Sequence, residues 1–217
     1  MTEFCQDIDL LAIEPRIFLT ATPPGITLAQ GTGGTLAGTS LLAETAGFVE
    51  AGVEAGMVLV VHSGNSAEGQ AYEIVTVNGP TQLTVSALRA ERGQPLIPPS
   101  MASGASFCVR TFKPQIHLVC EALAEKLRRM MEASPVTSAN FEDSAQLRQA
   151  AAIGTLGTLF FALAESAAPS DPNWAKAECY RSQFAQLQSR LRLAIDLDGD
   201  GVAEETRTLG HITLRRI

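Results

Sequence analysis

The residues best equipped for chemistry lie together near the end of the chain. Asp196, Asp198 and Asp200 alternate along Asp196-Leu-Asp-Gly-Asp-Gly201, and Glu204 and Glu205 follow. Three carboxylates within five residues repel one another unless a cation neutralises them, and hard cations take oxygen ligands. The spacing matches the first, third and fifth positions of a calcium loop. Gly201 supplies the sharp turn, Val202 offers a carbonyl, and Glu204 falls at the ninth position. The twelfth position, where a bidentate glutamate closes such a loop, is Arg207, so the match is partial. Two readings stand side by side. One is a weak Ca2+ site built from Asp196, Asp198, Asp200, Val202 and Glu204. The other is a solvated helix-to-strand turn whose acids pair with Arg192 and Arg207.

No other segment carries a comparable signature. Gly33 to Ser40 spells G-x-x-x-x-G-T-S but lacks the lysine and the strand-to-helix setting of a phosphate loop, so it reads as a surface loop. His62, His117 and His211 are far apart, and no Ser, Cys or Thr sits in a nucleophile elbow. The acidic pairs Glu142-Asp143 and Glu204-Glu205 suit helix-start charge and solvation better than proton transfer. The expectation is a chain with no catalytic residues and no cofactor beyond a Ca2+ ion. Cys5, Cys108, Cys120 and Cys179 are widely separated with no C-x-x-C pair, which predicts buried free thiols and not a zinc or redox motif.

Charge narrows the class further. The 217 residues carry a formal net charge of -7, which excludes a general nucleic-acid binder. The basic residues are unevenly placed. From residue 114 onward there are 11 Lys/Arg against 13 Asp/Glu, and before it 5 against 10. Arg128-Arg129, Arg190 to Arg192 and Arg215-Arg216, taken one at a time, read as ordinary solvated faces. Met1 to Leu11 lacks a basic region followed by an apolar run, and no segment approaches the roughly 20 apolar residues that span a bilayer. A soluble product made in the cytoplasm, with no membrane partner, is expected.

The elements that must position these residues follow from periodicity. Residues 1–15 form a lead with a helical turn at Asp7 to Ala12, stopped by Pro15. Residues 16–113 read as β: strands at Arg16 to Thr20, Met57 to Val61, Ala71 to Val77, Gln82 to Leu88 and Phe107 to Phe112. A Thr/Gly-rich loop (Gln30 to Ser40), turns at Ser63 to Ser66 and Asn78-Gly79-Pro80, and a Gly/Pro-rich excursion (Glu91 to Ser106) separate them. In Ala71 to Val77, alternation places Tyr72, Ile74 and Thr76 on one face and Glu73, Val75 and Val77 on the other. Residues 114–195 are helical. Gln115 to Ala133 carries Ile116, Val119, Leu123 and Leu127 on one face. Asp143 to Ser166 has a thin face at Ala151, Ala152, Gly154 and Gly157. Interior glycines cost a helix about 1 kcal/mol each, so this face implies close approach of another helix or another chain. A third helix opens on Asp171-Pro172, a cap followed by proline at the first helical position, and runs into Asp196. Residues 196–217 are the acidic loop and a strand-like arm from Thr206, with Leu209, Ile212 and Leu214 alternating before Arg215-Arg216. The fold class is α+β: a small antiparallel β-barrel or sandwich, then a three-helix bundle and a C-terminal strand-like arm.

Two stretches resemble a known family. Phe48-Val-Glu-Ala-Gly-Val-Glu-Ala-Gly-Met-Val-Leu-Val60, Tyr72-Glu-Ile-Val-Thr-Val77 and Leu83-Thr-Val85 are similar to a small β-domain recurrent in structural proteins of tailed bacteriophages. Gln146 to Phe161, Lys176 to Phe184 and the run into Asp196 resemble the helical head–tail adaptor, or connector, proteins of the phage neck. The resemblance implies a virion protein, made in the host cytoplasm, that forms a homo-oligomeric ring between the portal and the tail or head-closure proteins. It implies a conduit for DNA without sequence-specific binding. Gly154, Gly157, Arg207, Leu209, Ile212, Leu214, Arg215 and Arg216 would then be interaction residues. The competing class is a calcium-dependent binding module with the β-domain as its recognition surface.

Overall fold

The computed structural model describes residues 4–19, 26–62, 69–131, 145–195 and 205–208. Two compact units divide between Lys113 and Pro114. One spans Gln6–Lys113, and the other spans Pro114–Ile217 together with Met1–Cys5.

The first unit is a closed antiparallel barrel of six strands: β1 (Ile26–Ala37), β2 (Ser40–Leu42), β3 (Val58–His62), β4 (Gln70–Gly79), β5 (Gln82–Ser86) and β6 (Ala102–Thr111), paired in the order β1-β2-β5-β4-β3-β6. β6 closes it, pairing with β1 (Gln30 opposite Cys108, Gly31 opposite Phe107) and with β3 (Val60 opposite Cys108). Leu36, Leu41, Phe48, Leu59, Ile74, Leu83 and Val109 fill the interior and are almost wholly buried. Each such side chain stabilises the fold by about 1.5–3 kcal/mol. Val58 and Val60 point the other way on β3 and are also fully buried, which is why this strand is apolar throughout. Two short helices, α1 (Asp7–Ile13) and α2 (Arg16–Leu19), pack on it.

The barrel corrects four sequence readings. Arg16–Leu19 is not a strand but α2: Pro15 stands just before it, the Phe18 amide donates to the Pro15 carbonyl, and Ile17 and Phe18 are both buried. Phe18 packs edge-on against Phe112, with ring centroids 4.9 Å apart, and Arg110 donates to the Phe18 carbonyl. Gln30 to Ser40 is not a surface loop but most of β1 and the start of β2. Its glycines have a steric reason: a Cβ at Gly31 would stand 2.9 Å from the Phe107 ring, and one at Gly34 3.0 Å from it. The ring occupies the space that side chains would take. The excursion after β5 ends earlier than expected, because Ala102 already pairs with Leu36. In β4 a register shift between Ile74 and Thr76 breaks the alternation, so Thr76 is exposed and Val77 packs on the core.

Buried polar groups anchor the ends of the strands. Asp7, 3% exposed, accepts hydrogen bonds from Thr111 Oγ1 (2.7 Å) and from the Phe112 amide (2.7 Å), tying α1 to the end of β6. Glu73 on β4 pairs with Arg89, which also donates to the Gln94 carbonyl.

The second unit contains α3 (Lys113–Met131), α4 (Ala145–Leu163) and α5 (Pro172–Arg190). Residues Ala150 to Gly157 of α4 are buried without a break, so this helix is apolar on every side. Asp171 organises the turn into α5: it accepts from the amides of Asn173 and Trp174 at the helix start and from those of Glu165 and Ser166 before it. Asn173 donates back to the Leu163 carbonyl at the end of α4. α5 does not run into the acidic loop. It stops at Arg190, and Leu191 turns extended. Then β7 (Arg192–Ile195) pairs antiparallel with β8 (Glu205–Thr208), with Ile195 opposite Glu205. No described helix is long and apolar enough to cross a membrane.

Two outcomes follow. Gly31→Ala should destabilise the barrel by about 1–3 kcal/mol through overpacking, and Phe107→Leu should reduce that penalty, as measured by denaturant unfolding in a double-mutant cycle. The Asp171 carboxyl is held below its ordinary range, first by the Ser166 amide and then by those of Asn173, Trp174 and Glu165, against the opposing effect of burial. Its folded-state value is depressed, so its contribution is complete above the unfolded value near 3.8 and is lost as the pH falls below that. Acid unfolding followed by Trp174, the sole tryptophan, should show this loss in the wild type and not in Asp171→Ala, which should already be less stable at neutral pH.

Candidate functional site

The sequence-predicted metal residues Asp196, Asp198, Asp200, Val202 and Glu204 lie outside the described residues. So do the predicted interaction residues Leu209, Ile212, Leu214, Arg215 and Arg216. Arg207 lies in β8, opposite Leu193. In the same strand pair Ile195 stands opposite Glu205. α5 is thus followed by the strand β7, where the sequence reading had the helix run into the acidic segment. Among the described residues no group of three His, Cys, Asp or Glu stands close enough to hold a metal ion.

The dispersed polar residues resolve into structural roles or isolated positions. Cys5, Cys108 and Cys120 are buried free thiols, as their spacing suggested, but Cys179 is exposed. Cys120 Sγ accepts from the Phe4 amide at 3.4 Å. On the barrel, His62 and Cys108 share a recess of about 490 Å3 with Gln30, Thr32 and Ser106. Burial pushes the Cys108 thiol up, and the neighbouring Arg110 guanidinium opposes this only in part. A thiol held in its protonated form is a poor nucleophile.

The helical unit carries an apolar feature of similar size. An open apolar groove of about 480 Å3 runs over α4. Gly154, Gly157 and Thr158 form its floor, Leu118, Val119 and Ala122 of α3 one wall, and Arg181 and Phe184 of α5 the other. Phe161 stands at its edge. Leu118 is 66% exposed and Phe161 50% exposed, and both border the same groove. Phe161 is braced by Trp174, with centroids 5.5 Å apart, and lies under the Arg181 guanidinium at 5.9 Å. Arg181 is in turn 3.0 Å from Glu178. Beside it Phe160 stacks on Tyr180, and Lys176 sits 4.7 Å over its ring.

The two glycines explain how the groove forms. A Cβ on Gly154 would stand 2.9 Å from both Phe184 and Val119. One on Gly157 would stand 3.3 Å from Arg181 Cγ and 3.4 Å from the Arg181 backbone nitrogen. Of the two explanations the sequence allowed for the thin face, helices of the same chain take up the space. Their small size lets α3 and α5 settle close to α4 and leaves a shallow trough above it. Leu118, Ala122, Phe161 and Arg181 escaped the sequence reading. Leu118 and Phe161 each lie next to a residue of the buried face, so periodicity alone assigns them to solvent. The one available signal was that α4 is apolar on all sides while offering only two helices to cover it.

No protein-family model matches the chain, and neither a curated protein nor a solved structure matches it.

Gly154→Ala should destabilise the helical unit despite the gain in helix propensity of about 1 kcal/mol. The added methyl meets two side chains that are themselves packed, and overpacking of this kind costs about 1–3 kcal/mol. Urea unfolding followed by Trp174 fluorescence should show a lower midpoint with an unchanged slope.

Proposed function

We propose that this chain is a non-enzymatic structural protein of a tailed-phage virion. In this reading it is an adaptor whose copies form a ring between the portal and the tail or head-closure proteins and line the DNA conduit. It is made in the host cytoplasm and assembled into the virion. α3, α4 and α5 act as a three-helix bundle, and the segment from residue 196 onward acts as an arm toward neighbouring subunits. The groove on the helical unit carries the reading: an ordered apolar trough with large exposed side chains at its rim suits a permanent protein contact. A second observation supports it. The stretches that resemble the phage β-domain fall on β3, β4 and β5, which are neighbours in the barrel, joined by the turn from Phe48. The net charge of -7 suits a conduit that must release its polyanionic cargo.

Size-exclusion chromatography with light scattering, and electron microscopy of the particles, test the proposal. A discrete ring is expected, alone or with the portal protein. A strict monomer at high concentration under both conditions overturns it.

A calcium-dependent binding module is the second reading, favoured by one observation: Ile195 pairs with Glu205, which brings the two ends of the acidic segment together. Arg207, at the closing position of the calcium pattern, is engaged in the same strand pair. Titration calorimetry with Ca2+ on the wild type and on Asp198→Ala separates the readings. Tight binding lost on substitution supports the module, and heats of dilution alone remove it.

A further inference from the structure

The strand pair after α5 aims the chain back at the groove over α4. Arg192, the first residue of β7, donates its amide to Gln146 Oε1 at 3.3 Å, which sets the start of β7 beside the first turn of α4. β8 returns antiparallel to β7, and its last residue, Thr208, stands opposite Arg192. The chain that leaves β8 therefore emerges near the start of α4, heading opposite to the direction in which β7 left the helices. Gln146 precedes Gly157 by eleven residues, about three helical turns, so the two share a face of α4.

Reach and residue type then agree. The groove spans Gly154 to Phe161 of α4. At about 1.5 Å per residue it begins about 12 Å from Gln146 and ends about 22 Å from it. Nine residues, Leu209 to Ile217, follow β8. Drawn out at about 3.3 Å per residue they span about 30 Å, and Ile212 and Leu214 fall at about 13 Å and about 20 Å. The two apolar residues in the middle of the segment come level with the groove, neither short of it nor beyond it. Leu209 and Ile217 flank them. A segment tethered this close meets the groove at an effective concentration in the millimolar range, far above that of a second molecule in dilute solution.

We infer that residues Leu209 to Ile217 cover the groove of their own chain, with Ile212 and Leu214 seated between Leu118 and Phe161. Both rim residues are exposed on a helical unit whose central helix is apolar on every side, and aliphatic side chains laid between them remove that surface from water. The contact belongs to the single chain before assembly. A neighbouring copy takes the groove only by displacing the segment, a step that rests on the ring reading above.

A labelled synthetic peptide of residues 209–217, followed by fluorescence anisotropy, tests it against three full-length proteins. They are the wild type, the double variant Ile212→Asp/Leu214→Asp, and that double variant with Phe161→Asp added. Leu118→Asp serves as a second groove substitution, and thermal melts by circular dichroism verify that each protein folds. The double variant should bind the peptide saturably. The wild type, whose own segment competes, should bind it at least about tenfold more weakly, and the groove variants should not bind it. The wild-type weakening should be the same at every protein concentration, as an intramolecular competitor requires. If the wild type and the double variant bind the peptide equally, the groove is open in the intact chain and the assignment fails. It fails too if the folded double variant does not bind the peptide, or if the groove substitutions leave binding unchanged. If the wild type excludes the peptide only at concentrations where light scattering shows association, a neighbour's segment fills the groove; the assignment falls and the ring reading stands. The expected pattern with a wild type that stays monomeric, also beside the portal protein, supports the assignment and removes the ring.

Discussion

The barrel depends on β6 being hydrogen-bonded along both edges. β1 and β3 each pair with it, and without it the remaining strands would form an open sheet with two exposed edges. Because β6 is central, its alternation sorts its side chains into two environments. Phe107 and Val109 face the interior, and Cys108 and Arg110 face outward. The interior side demands room for a phenylalanine ring, and Gly31 and Gly34 on the adjacent strand provide it. The outward side meets α2, through Arg110 and the Phe18 carbonyl. The strand's end is fixed by Asp7, whose carboxylate is bonded to Thr111 and to the Phe112 amide. One strand therefore sets the interior, the covering helices and the point at which the chain leaves the barrel.

The helical unit is governed by a different constraint, the closeness of α4 and α5. Asp171 fixes the turn between them with four backbone amides, so the direction in which α5 returns is set before any side-chain packing. Gly154 and Gly157 then let α5 and α3 approach. The same small residues that permit this contact leave too little bulk to fill the surface above, and the groove results. A larger residue at either position would fill space at the expense of helix packing.

Each unit has large apolar side chains at its surface, Ile97 and Met101 in the first and Leu118 and Phe161 in the second. Buried polar groups such as Glu73, Arg89 and Asp7 are bonded to partners that fix loops and strand ends.

Local physics made part of this visible in the residues themselves. The apolar run at Val58 to Val61, the alternating stretch from Ala71 and the cap-plus-proline at Asp171-Pro172 act over a few residues, so strands β3 and β4 and the start of α5 could be read without a structure. The change from β to helix at Lys113-Pro114 was equally plain. Long-range contacts decided the rest. Gln30 to Ser40 has the composition of a loop and becomes strand because Phe107, more than sixty residues later, fills the space its glycines leave. Arg16 to Leu19 has strand-like residues and is helix, with Phe18 packed on Phe112 and its carbonyl taken by Arg110. The groove was the least legible feature, since it is built from one face of each of three helices. Its exposed members, Leu118 and Phe161, differ from ordinary surface residues only in what stands opposite them. Sequence by itself determined strands β3 and β4, the start of α5 and the two-unit division, all set by neighbouring residues. Tertiary structure alone decided barrel closure, the purpose of the glycines and the place where apolar surface remains uncovered, because each depends on residues distant in the chain competing for the same space.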